Sequence, residues 1–322
     1  MRHSSLGPLT PEGALRIKHI RKMIERANIP PTKVDENLIL GTWNIRHFGA
    51  QPRSADAKRL IAEIINSYDV IALTEVKDDL SDLRDVLDVL GPYWHAVYSD
   101  YDSDGAGNLE RIAYVYDKRM VVFTGLAAEA SPPRIKVGDD YVAQAPDWWR
   151  SPYMVSFRAG NFDFVMLAVH IRYSGGVRAR AAKIGQLADW VERRRNAPSQ
   201  QDKDFVLVGD FNIPSRRSSA FKALTKHSLQ APRGMIGQGT NLREDKSYDQ
   251  IVHSPTREGR FTDKGGVIRF YEDTHEEVFE GLSLHEFTHQ LSDHLPLWIE
   301  VDSWIEGEQL DAVIRGAQED AG

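Results

Sequence analysis

The segment Ser292-Asp293-His294-Leu295-Pro296 lies near the end of the chain and adjoins an apolar run that has the character of a strand. It is the last of five short polar segments, each of which lies next to such a run. The earlier four are Trp43-Asn44-Ile45-Arg46, Thr74-Glu75-Val76, Val169-His170 and Gly209-Asp210-Phe211-Asn212, with Tyr248-Asp249-Gln250 between the fourth and the fifth. Carboxylates, amides and histidines that recur at strand ends predict one shared pocket.

The apolar runs beside these segments are short and rich in β-branched residues, which is typical of buried strands. They comprise residues 38–42, 70–73, 164–169 and 205–208. Segments with the period of an amphipathic helix lie between them, for example residues 57–66 and 179–195. Alternating strands and helices predict an α/β layered domain, in which ligands gather at one edge of the sheet.

Eight blocks of the sequence together resemble the endonuclease/exonuclease/phosphatase superfamily, and within it the deoxyribonuclease I branch most closely. In chain order they are TWNIRHFG, TEVKD, LERIAYVY, RSPYMVSF, AVHIR, VGDFNIP, SYDQIV and SDHLPLWIEV. The resemblance covers roughly residues 38–302. It implies an α/β fold of two mixed β-sheets packed face to face with flanking helices, the four-layer deoxyribonuclease I-like sandwich.

The residue types at the strand ends suit phosphodiester hydrolysis. That reaction needs a base for the attacking water, cationic or donor groups for the phosphoryl oxygens, and usually a metal ion. Magnesium prefers hard oxygen ligands that include one or two carboxylates. Glu75 is the first candidate ligand, and Asn44 and Asp293 would complete the site. We therefore expect Mg²⁺ as the cofactor, with Mn²⁺ or Ca²⁺ as alternatives.

His294 is the natural general base, because a neutral imidazole accepts a proton near neutral pH. The resemblance implies that Asp249 orients His294. It also implies that Glu110 holds the second family histidine, His170, which would act as an acid or as a donor to the phosphate.

The resemblance assigns the GDFN block as well. It implies that Asp210 orients the attacking water or binds a second metal, and that Asn212 donates to a phosphoryl oxygen.

Four further residues are expected to bind the substrate. Arg46 and Arg150 match phosphate-contacting arginines of the family, and the arginine fork suits that contact. In the deoxyribonuclease I branch, an arginine and a tyrosine read the minor groove of DNA. The resemblance places Lys77 and Asn108 at these two positions. Because asparagine offers no aromatic stacking surface, single-stranded DNA, RNA and a smaller phosphodiester stay open as substrates.

The segment His285-Glu286-Phe287-Thr288-His289 fits the H-E-x-x-H pattern of zinc proteases. That pattern needs a helix to bring both imidazoles to one face. Here Pro296 follows closely and a strand-like run comes next, so we expect a loop or a short helix instead.

Other functions remain open at this stage. The protein could be a phosphodiesterase or phosphatase that acts on a small or lipid phosphate, of the inositol phosphate or sphingomyelin type. Family members of that type have the same histidine that His170 matches here. A non-catalytic binding module that kept the fold is a third possibility. The NIRHFG and RSPYMVSF blocks favour a nuclease. We therefore expect a metal-dependent DNA endonuclease that uses histidine-activated water.

The composition of the chain indicates which binding partners and which cellular compartment to expect. The formal net charge of −7 argues against nonspecific coating of nucleic acid, but not against local phosphate binding. Basic residues expected at the rim of the site are Arg172, Arg178, Arg180, Lys183, Arg216 and Arg217. The sequence has no cysteine, no signal-like start and no apolar run long enough for a membrane span, so we expect a cytoplasmic protein that binds nucleic acid, with DNA as the first candidate.

We predict three parts along the chain. Residues 1–35 form an N-terminal extension with an amphipathic helix over residues 10–28, and Thr10 is its candidate N-cap. Residues 36–303 form the catalytic domain, and residues 304–322 form an acidic tail.

Overall fold

The computed structural model of the chain describes residues 1–100, 109–131, 134–143, 150–160, 162–255, 260–271, 279–304, 307, 310–311 and 313–314. The first sheet has six strands. The strands of the first sheet are β1 (Asn37–Phe48), β2 (Val70–Lys77), β3 (Trp94–Tyr98), β4 (Glu110–Asp117), β12 (Phe261–Val267) and β13 (Leu297–Asp302). Their order is β12-β13-β1-β2-β4-β3, with β1 and β2 parallel and the other neighbours antiparallel.

The second sheet has five strands, β5 (Val122–Glu129), β8 (Tyr153–Ala159), β9 (Phe162–His170), β10 (Phe205–Asp210) and β11 (Asp249–His253). Their order in the sheet is β11-β10-β9-β8-β5. Only β9 and β10 are parallel. A separate hairpin joins β6 (Arg134–Val137) and β7 (Asp140–Ala143). Both large sheets are therefore mixed, as expected.

The alternation of side chains along β9 shows how the layers pack. Phe164 and Met166 belong to the hydrophobic core that both sheets share, whereas Val165 and Leu167 pack in a second core with helix α4 (Gly176–Arg195). Successive side chains of a strand point to opposite faces, so β9 is covered on both sides. Across the shared core, β1 contacts β10, and β2 contacts both β9 and β10. The expected sandwich of two sheets with outer helices is confirmed.

The remaining described α-helices are α1 (Pro11–Arg26), α2 (Ala55–Ile65), α3 (Ser81–Leu90), α5 (Ser219–Leu224) and α6 (Leu284–Gln290). Four of these five helices begin with a side-chain cap, and α3 is the exception. The Thr10 side chain accepts from Gly13 N at the start of α1, with Pro11 in the first turn. Ser283 and Glu286 form a capping box on α6, which is the short helix considered for the H-E-x-x-H segment.

Helix α1 packs on α2, and charged pairs reinforce the contact. Arg21 donates two hydrogen bonds to Glu63, at 2.9 and 2.7 Å, and Arg16 pairs with Asp56. The division into three parts stays a prediction, and most of the tail lies outside the described residues. No described helix is both long and apolar enough to cross a membrane.

Candidate active site

The register of the second sheet places three predicted site residues in one row. Asp210, the last residue of β10, is paired with His170 on β9 and with Asp249 on β11. The preceding Gly209 has φ of 122°, and a Cβ there would lie 2.1 Å from the Val169 carbonyl oxygen. Glycine is therefore required for this close approach of β10 to β9.

The first sheet contributes Asn44 and Glu75 from the ends of β1 and β2. Asn44 Nδ2 donates to Glu75 Oε1 at 2.9 Å and to Asp210 Oδ2 at 3.1 Å. The buried Asn44 amide thus joins the two sheets where their strands end. Asn44 Oδ1 accepts from Arg46 N at 3.0 Å, which fixes the amide orientation. One cluster therefore contains groups from segments far apart in the sequence.

Backbone conformation in this cluster is unusual. Arg46, His47, Glu75 and Asn212 have φ between 46° and 63°, the left-handed region that side chains other than glycine seldom adopt. Such strain persists only where the surroundings hold it, and it concentrates at functional sites. Four strained positions around one cluster indicate a site whose geometry the fold maintains at some cost.

His294 is paired with Asp249, as the resemblance implied. Asp249 Oδ2 lies 2.7 Å from His294 Nδ1, and Asp249 is fully buried. Burial alone would lower the pKa of His294, but the Asp249 carboxylate and its hydrogen bond raise that pKa to about 10, with Asp210 and Asp293 adding to the effect. The imidazole is therefore strongly stabilised in its charged form by its carboxylate neighbours.

The backbone around His294 is fixed by contacts with β1. The His294 carbonyl oxygen accepts from Trp43 Nε1 at 2.8 Å, and His294 N donates to Ser292 Oγ at 3.0 Å. Ser292 Oγ in turn donates to the Asn44 carbonyl oxygen at 2.6 Å. The Ser-Asp-His segment is thus tied directly to the strand end that carries Asn44.

His170 is paired with Glu110 across the two sheets. His170 Nδ1 lies 2.9 Å from Glu110 Oε2, while Nε2 faces the central cluster, 3.7 Å from Asp210 Oδ2 and 3.9 Å from Glu75 Oε1. Although burial opposes charging, the pKa of His170 is raised by the Glu110 hydrogen bond and by these two carboxylates, against a lowering effect of Arg150. The ring is oriented with Nε2 toward the cluster.

Two of the predicted substrate-binding residues pair with Glu110. Arg150 Nε lies 2.9 Å from Glu110 Oε2, and Lys77 Nζ lies 3.1 Å from Oε1. Burial would raise the pKa of Glu110, but His170, Arg150 and Lys77 lower it to about 2. Arg150 and Lys77 therefore hold the carboxylate that orients His170, and phosphate contact by either of them stays a prediction.

The other two predicted substrate-binding residues are placed differently. Arg46 donates to Thr288 Oγ1 on α6, and its Nη1 lies 3.9 Å from Asp293 Oδ2. Asn108 lies outside the described residues. Asn212 Nδ2 donates to the Ile171 carbonyl oxygen at 2.7 Å, so one of its two amide hydrogens is occupied within the protein.

The acidic groups can accommodate a divalent cation. Two sets of described side chains bring possible ligand atoms within 4.8 Å of one another, namely His47, Glu75 and Glu110, and Asp210, Asp249 and His294. Asp249 Oδ1 is buried without a hydrogen-bond partner among the described residues. Several carboxylate oxygens around Asn44 are the donor type that magnesium prefers, so the residues fit this ion.

The predicted metal-ligand set of Asn44, Glu75 and Asp293 is only partly assembled. Asn44 and Glu75 are hydrogen-bonded, but Asp293 belongs to neither acidic set and its side chain is 47% exposed beside Arg46. His294 is hydrogen-bonded to Asp249, whereas the side chain of its neighbour Asp293 lies beside Arg46.

Sequence reasoning missed two residues beside the site. His47 donates its backbone N–H to Glu75 Oε2 at 3.0 Å, and its Nδ1 lies 3.1 Å from the same oxygen. Arg53 is buried and donates to the carbonyl oxygens of Ile45 and Arg46. The only signal for His47 was its position next to Arg46 in the first block, and Arg53 lies outside every block.

The H-E-x-x-H segment forms the short helix α6, one of the two structures expected for it in place of a zinc site. The Glu286 carboxylate accepts from Ser283 N at 2.9 Å, so it caps α6. His285 and His289 are in ring contact, with centroids 4.7 Å apart, and neither belongs to an acidic set described above. Instead α6 flanks the site, because Thr288 contacts Arg46 and His289 stacks on His47.

Known proteins with the same fold include phosphoesterases. A solved endonuclease/exonuclease/phosphatase family protein from Bacteroides thetaiotaomicron is 18% identical and has a TM-score of 0.57, covering 83% of this chain and 95% of its own. A mannosyl-6-phosphatase from the same organism is 17% identical at TM-score 0.55, covering 81% and 98%. Truncated TDP2 from Caenorhabditis elegans is 16% identical at TM-score 0.56, covering 83% and 97%.

At these identities the solved structures show a shared fold. No curated protein has a matching sequence. The model of the endonuclease/exonuclease/phosphatase family matches residues 41–294, which include every described residue of the cluster. The chain therefore belongs to the endonuclease/exonuclease/phosphatase family, whose members are hydrolytic enzymes that act on phosphoesters and generally depend on a divalent metal.

Proposed function

We propose that the protein is a divalent-metal-dependent phosphodiesterase and that its substrate is DNA, which it cleaves as an endonuclease. The observation that carries this proposal is the convergence of two histidine–carboxylate pairs on one cluster. Asp249, which pairs with His294, and His170, which pairs with Glu110, lie on β11 and β9, the two strands that flank Asp210 on β10. Phosphodiester hydrolysis needs such a base, donor and acidic cluster together.

His294 would act as the general base once a bound divalent cation offsets the carboxylates of Asp249 and Asp210, which without that ion raise its pKa to about 10 and hold the ring charged. Its Nδ1 is occupied by Asp249, so Nε2 is the nitrogen that accepts a proton from the attacking water. Asp249 holds the ring orientation and stabilises the imidazolium that forms. Asp210 lies beside both residues and orients the water, and its pKa is raised by burial and by the neighbouring Asp249 carboxylate.

His170 would stabilise the charge that develops on the phosphoryl oxygens. Its Nδ1 is held by Glu110, which leaves Nε2 to donate toward the cluster. The raised pKa of His170 favours the protonated form of this donor. Asn212 would add a second donor through the amide hydrogen that Ile171 does not occupy.

Asn44, Glu75 and Asp210 are the residues best placed to hold a magnesium ion, and Asp293 remains a predicted ligand. The carboxylates of Glu75 and Asp210 share the Asn44 amide. Burial alone would raise the pKa of Glu75, but His170, the Asn44 hydrogen bond and His47 lower it, so the group is ionised and ready to bind a cation. The bound ion supplies Lewis-acid stabilisation of the phosphoryl oxygens.

Supercoiled plasmid DNA provides the test of substrate class. Nicking with magnesium, abolished by EDTA and by His294→Ala, is the expected result. If the plasmid stays intact while bis-p-nitrophenyl phosphate is hydrolysed, the enzyme acts on small phosphodiesters. If only phosphomonoesters are hydrolysed, the protein is a phosphatase, the activity named for the mannosyl-6-phosphatase of similar fold.

A further inference from the structure

Two tyrosine rings lie beside His294. Tyr248, which directly precedes Asp249, is half-buried, and its ring centroid lies 5.9 Å from that of His294. Tyr173, in the loop between β9 and α4, packs edge to face against Tyr248, with the centroids 6.2 Å apart and the ring planes at 89°. Tyr173 is 63% exposed. The two rings therefore form a continuous aromatic surface that begins at the proposed general base and ends in solvent.

Arg180 on α4 fixes the position of Tyr173. The Cζ atom of Arg180 lies 4.8 Å from the centroid of the Tyr173 ring, and the same guanidinium donates a hydrogen bond to the Tyr173 carbonyl oxygen. A cation over the face of an aromatic ring is an attractive contact. Because Arg180 is buried and Tyr173 is exposed, the guanidinium covers the inner face of the ring. The outer face is therefore presented to solvent in a fixed orientation.

A nucleobase fits this surface better than a sugar does. Every base has a flat π face, so it stacks on an aromatic side chain whatever its identity. A sugar on the same ring would also need acceptors for its hydroxyl hydrogens, which carboxylate or amide side chains supply. The charged residues that flank Tyr173 most closely in the chain are instead Arg172 and Arg178, both exposed, and their positive charge suits phosphate groups.

A base can stack on Tyr173 only when it is unpaired. In a duplex the neighbouring base pairs cover both faces of each base, and a protein must unstack and unpair that base to reach it. The bases of a single strand can splay outward without this cost. A stacking surface beside His294 therefore favours a single strand over a duplex.

We propose that Tyr173, backed by Tyr248, is a stacking platform for an unpaired nucleobase of the substrate, so that the enzyme cleaves single-stranded DNA in preference to duplex DNA. The inference rests on the proposed DNA endonuclease function and adds to it the strand form that the site selects. Tyr173 binds the base near the scissile phosphate and takes no part in proton transfer.

The kinetic test compares three DNA substrates of equal length, namely a single strand, the blunt duplex of the same sequence, and a single strand of tetrahydrofuran abasic residues, which has phosphates but no bases. With magnesium, kcat/KM of the unchanged protein should be at least about tenfold higher for the single strand than for the duplex. Tyr173→Ala should raise KM for the single strand about tenfold, which corresponds to about 1.4 kcal/mol, and should leave KM for the abasic strand unchanged. A preference for the duplex, or equal losses on the two single strands, would overturn the proposal.

Two further variants separate stacking from a structural role. Tyr173→Phe keeps the ring and should keep KM for the single strand. The matched control is Tyr93→Ala, because Tyr93 is also an exposed tyrosine with an arginine, Arg119, 4.7 Å from its ring centroid. Tyr93 accepts a hydrogen bond from Lys118 N at the end of β4 remote from Glu110, so Tyr93→Ala should leave KM unchanged. Equal increases in Tyr93→Ala and Tyr173→Ala would refute the platform.

A binding measurement separates the platform from catalysis. A fluorescein-labelled single strand is titrated with magnesium against His294→Ala and against the same variant that also carries Tyr173→Ala, and anisotropy is followed. The variant that retains Tyr173 should bind at least about tenfold more tightly. That difference, without cleavage of any DNA by the unchanged protein, would uphold base stacking and refute the endonuclease function. Equal affinities would refute the platform even if DNA is cleaved. A loss in Tyr173→Ala that is confined to hydrolysis of mannose 6-phosphate would assign the ring to a sugar and also refute it.

Discussion

Arg53 should be essential to the stability of the site although it takes no part in the chemistry. Its Nε and Nη2 donate to four backbone carbonyl oxygens at 2.6 to 3.2 Å, those of Ile45, Arg46, Gln290 and Leu291. It thereby joins the end of β1 to the segment that follows α6 and carries His294. Replacing Arg53 by methionine keeps the apolar stem and removes every one of these donors.

The expected cost follows from these contacts. Charge-assisted hydrogen bonds contribute roughly 1.5–3 kcal/mol each, and they are not additive because removing the guanidinium also removes its burial cost. We expect Arg53→Met to lower the free energy of unfolding by about 4 kcal/mol, because four carbonyl oxygens lose their donor at roughly 1–3 kcal/mol each while the burial cost of the guanidinium is removed. Urea denaturation measures this as a lower midpoint with an unchanged slope.

A matched control is available on the neighbouring helix α3. Arg84 is exposed, so Arg84→Met should change the free energy of unfolding by less than about 0.5 kcal/mol. A loss below about 1 kcal/mol for Arg53→Met would refute the view that these four hydrogen bonds hold the two segments together.

Three further predictions concern catalysis, metal binding and pH. Asp249→Asn should reduce kcat by about 10²- to 10⁴-fold, because His294 loses the carboxylate that orients the ring and stabilises the imidazolium formed during the reaction. Measuring kcat together with KM checks this, and a change below about tenfold would contradict the pairing. Glu75→Gln should raise the magnesium concentration needed for half-maximal activity, and an unchanged concentration would exclude Glu75 as a ligand. Burial raises the pKa of Asp69 to about 7. Between about pH 4 and 7 the folded state therefore holds a proton on Asp69 that the unfolded state has released. The free energy of unfolding should consequently fall as the pH rises through this range. Asp69→Asn, which can still accept from Ile39 N, should flatten that slope in urea titrations, and an equal slope in both proteins would contradict it.

Much of the fold could be predicted because strand ends are marked in the sequence. Apolar runs that end in Asn44, Glu75, His170 and Asp210 indicated buried strands whose polar ends meet. The structure contains a strand at each run and places these four residues in one cluster. The reason is strand direction, since β1 and β2 are parallel neighbours, as are β9 and β10, and the carboxyl ends of parallel neighbours lie at the same edge of their sheet.

Contacts set by side-chain direction could not be predicted in the same way. Asp293 and His294 are adjacent in sequence, yet only His294 points toward Asp249. Arg53 and Arg216 bind backbone or amide groups that no sequence pattern identifies. Such pairings depend on three-dimensional packing between segments, whereas periodicity reports only which face of one segment is buried.

The most direct test of the account is kcat/KM for bis-p-nitrophenyl phosphate with magnesium, measured for the unchanged protein, His294→Ala and the control His95→Ala. His95 is exposed on the edge strand β3. We predict hydrolysis that EDTA abolishes, a loss of at least about 10²-fold in His294→Ala, and no loss in His95→Ala. Metal-dependent hydrolysis that persists at full rate in His294→Ala would contradict the assignment of His294 and Asp249 as the catalytic pair.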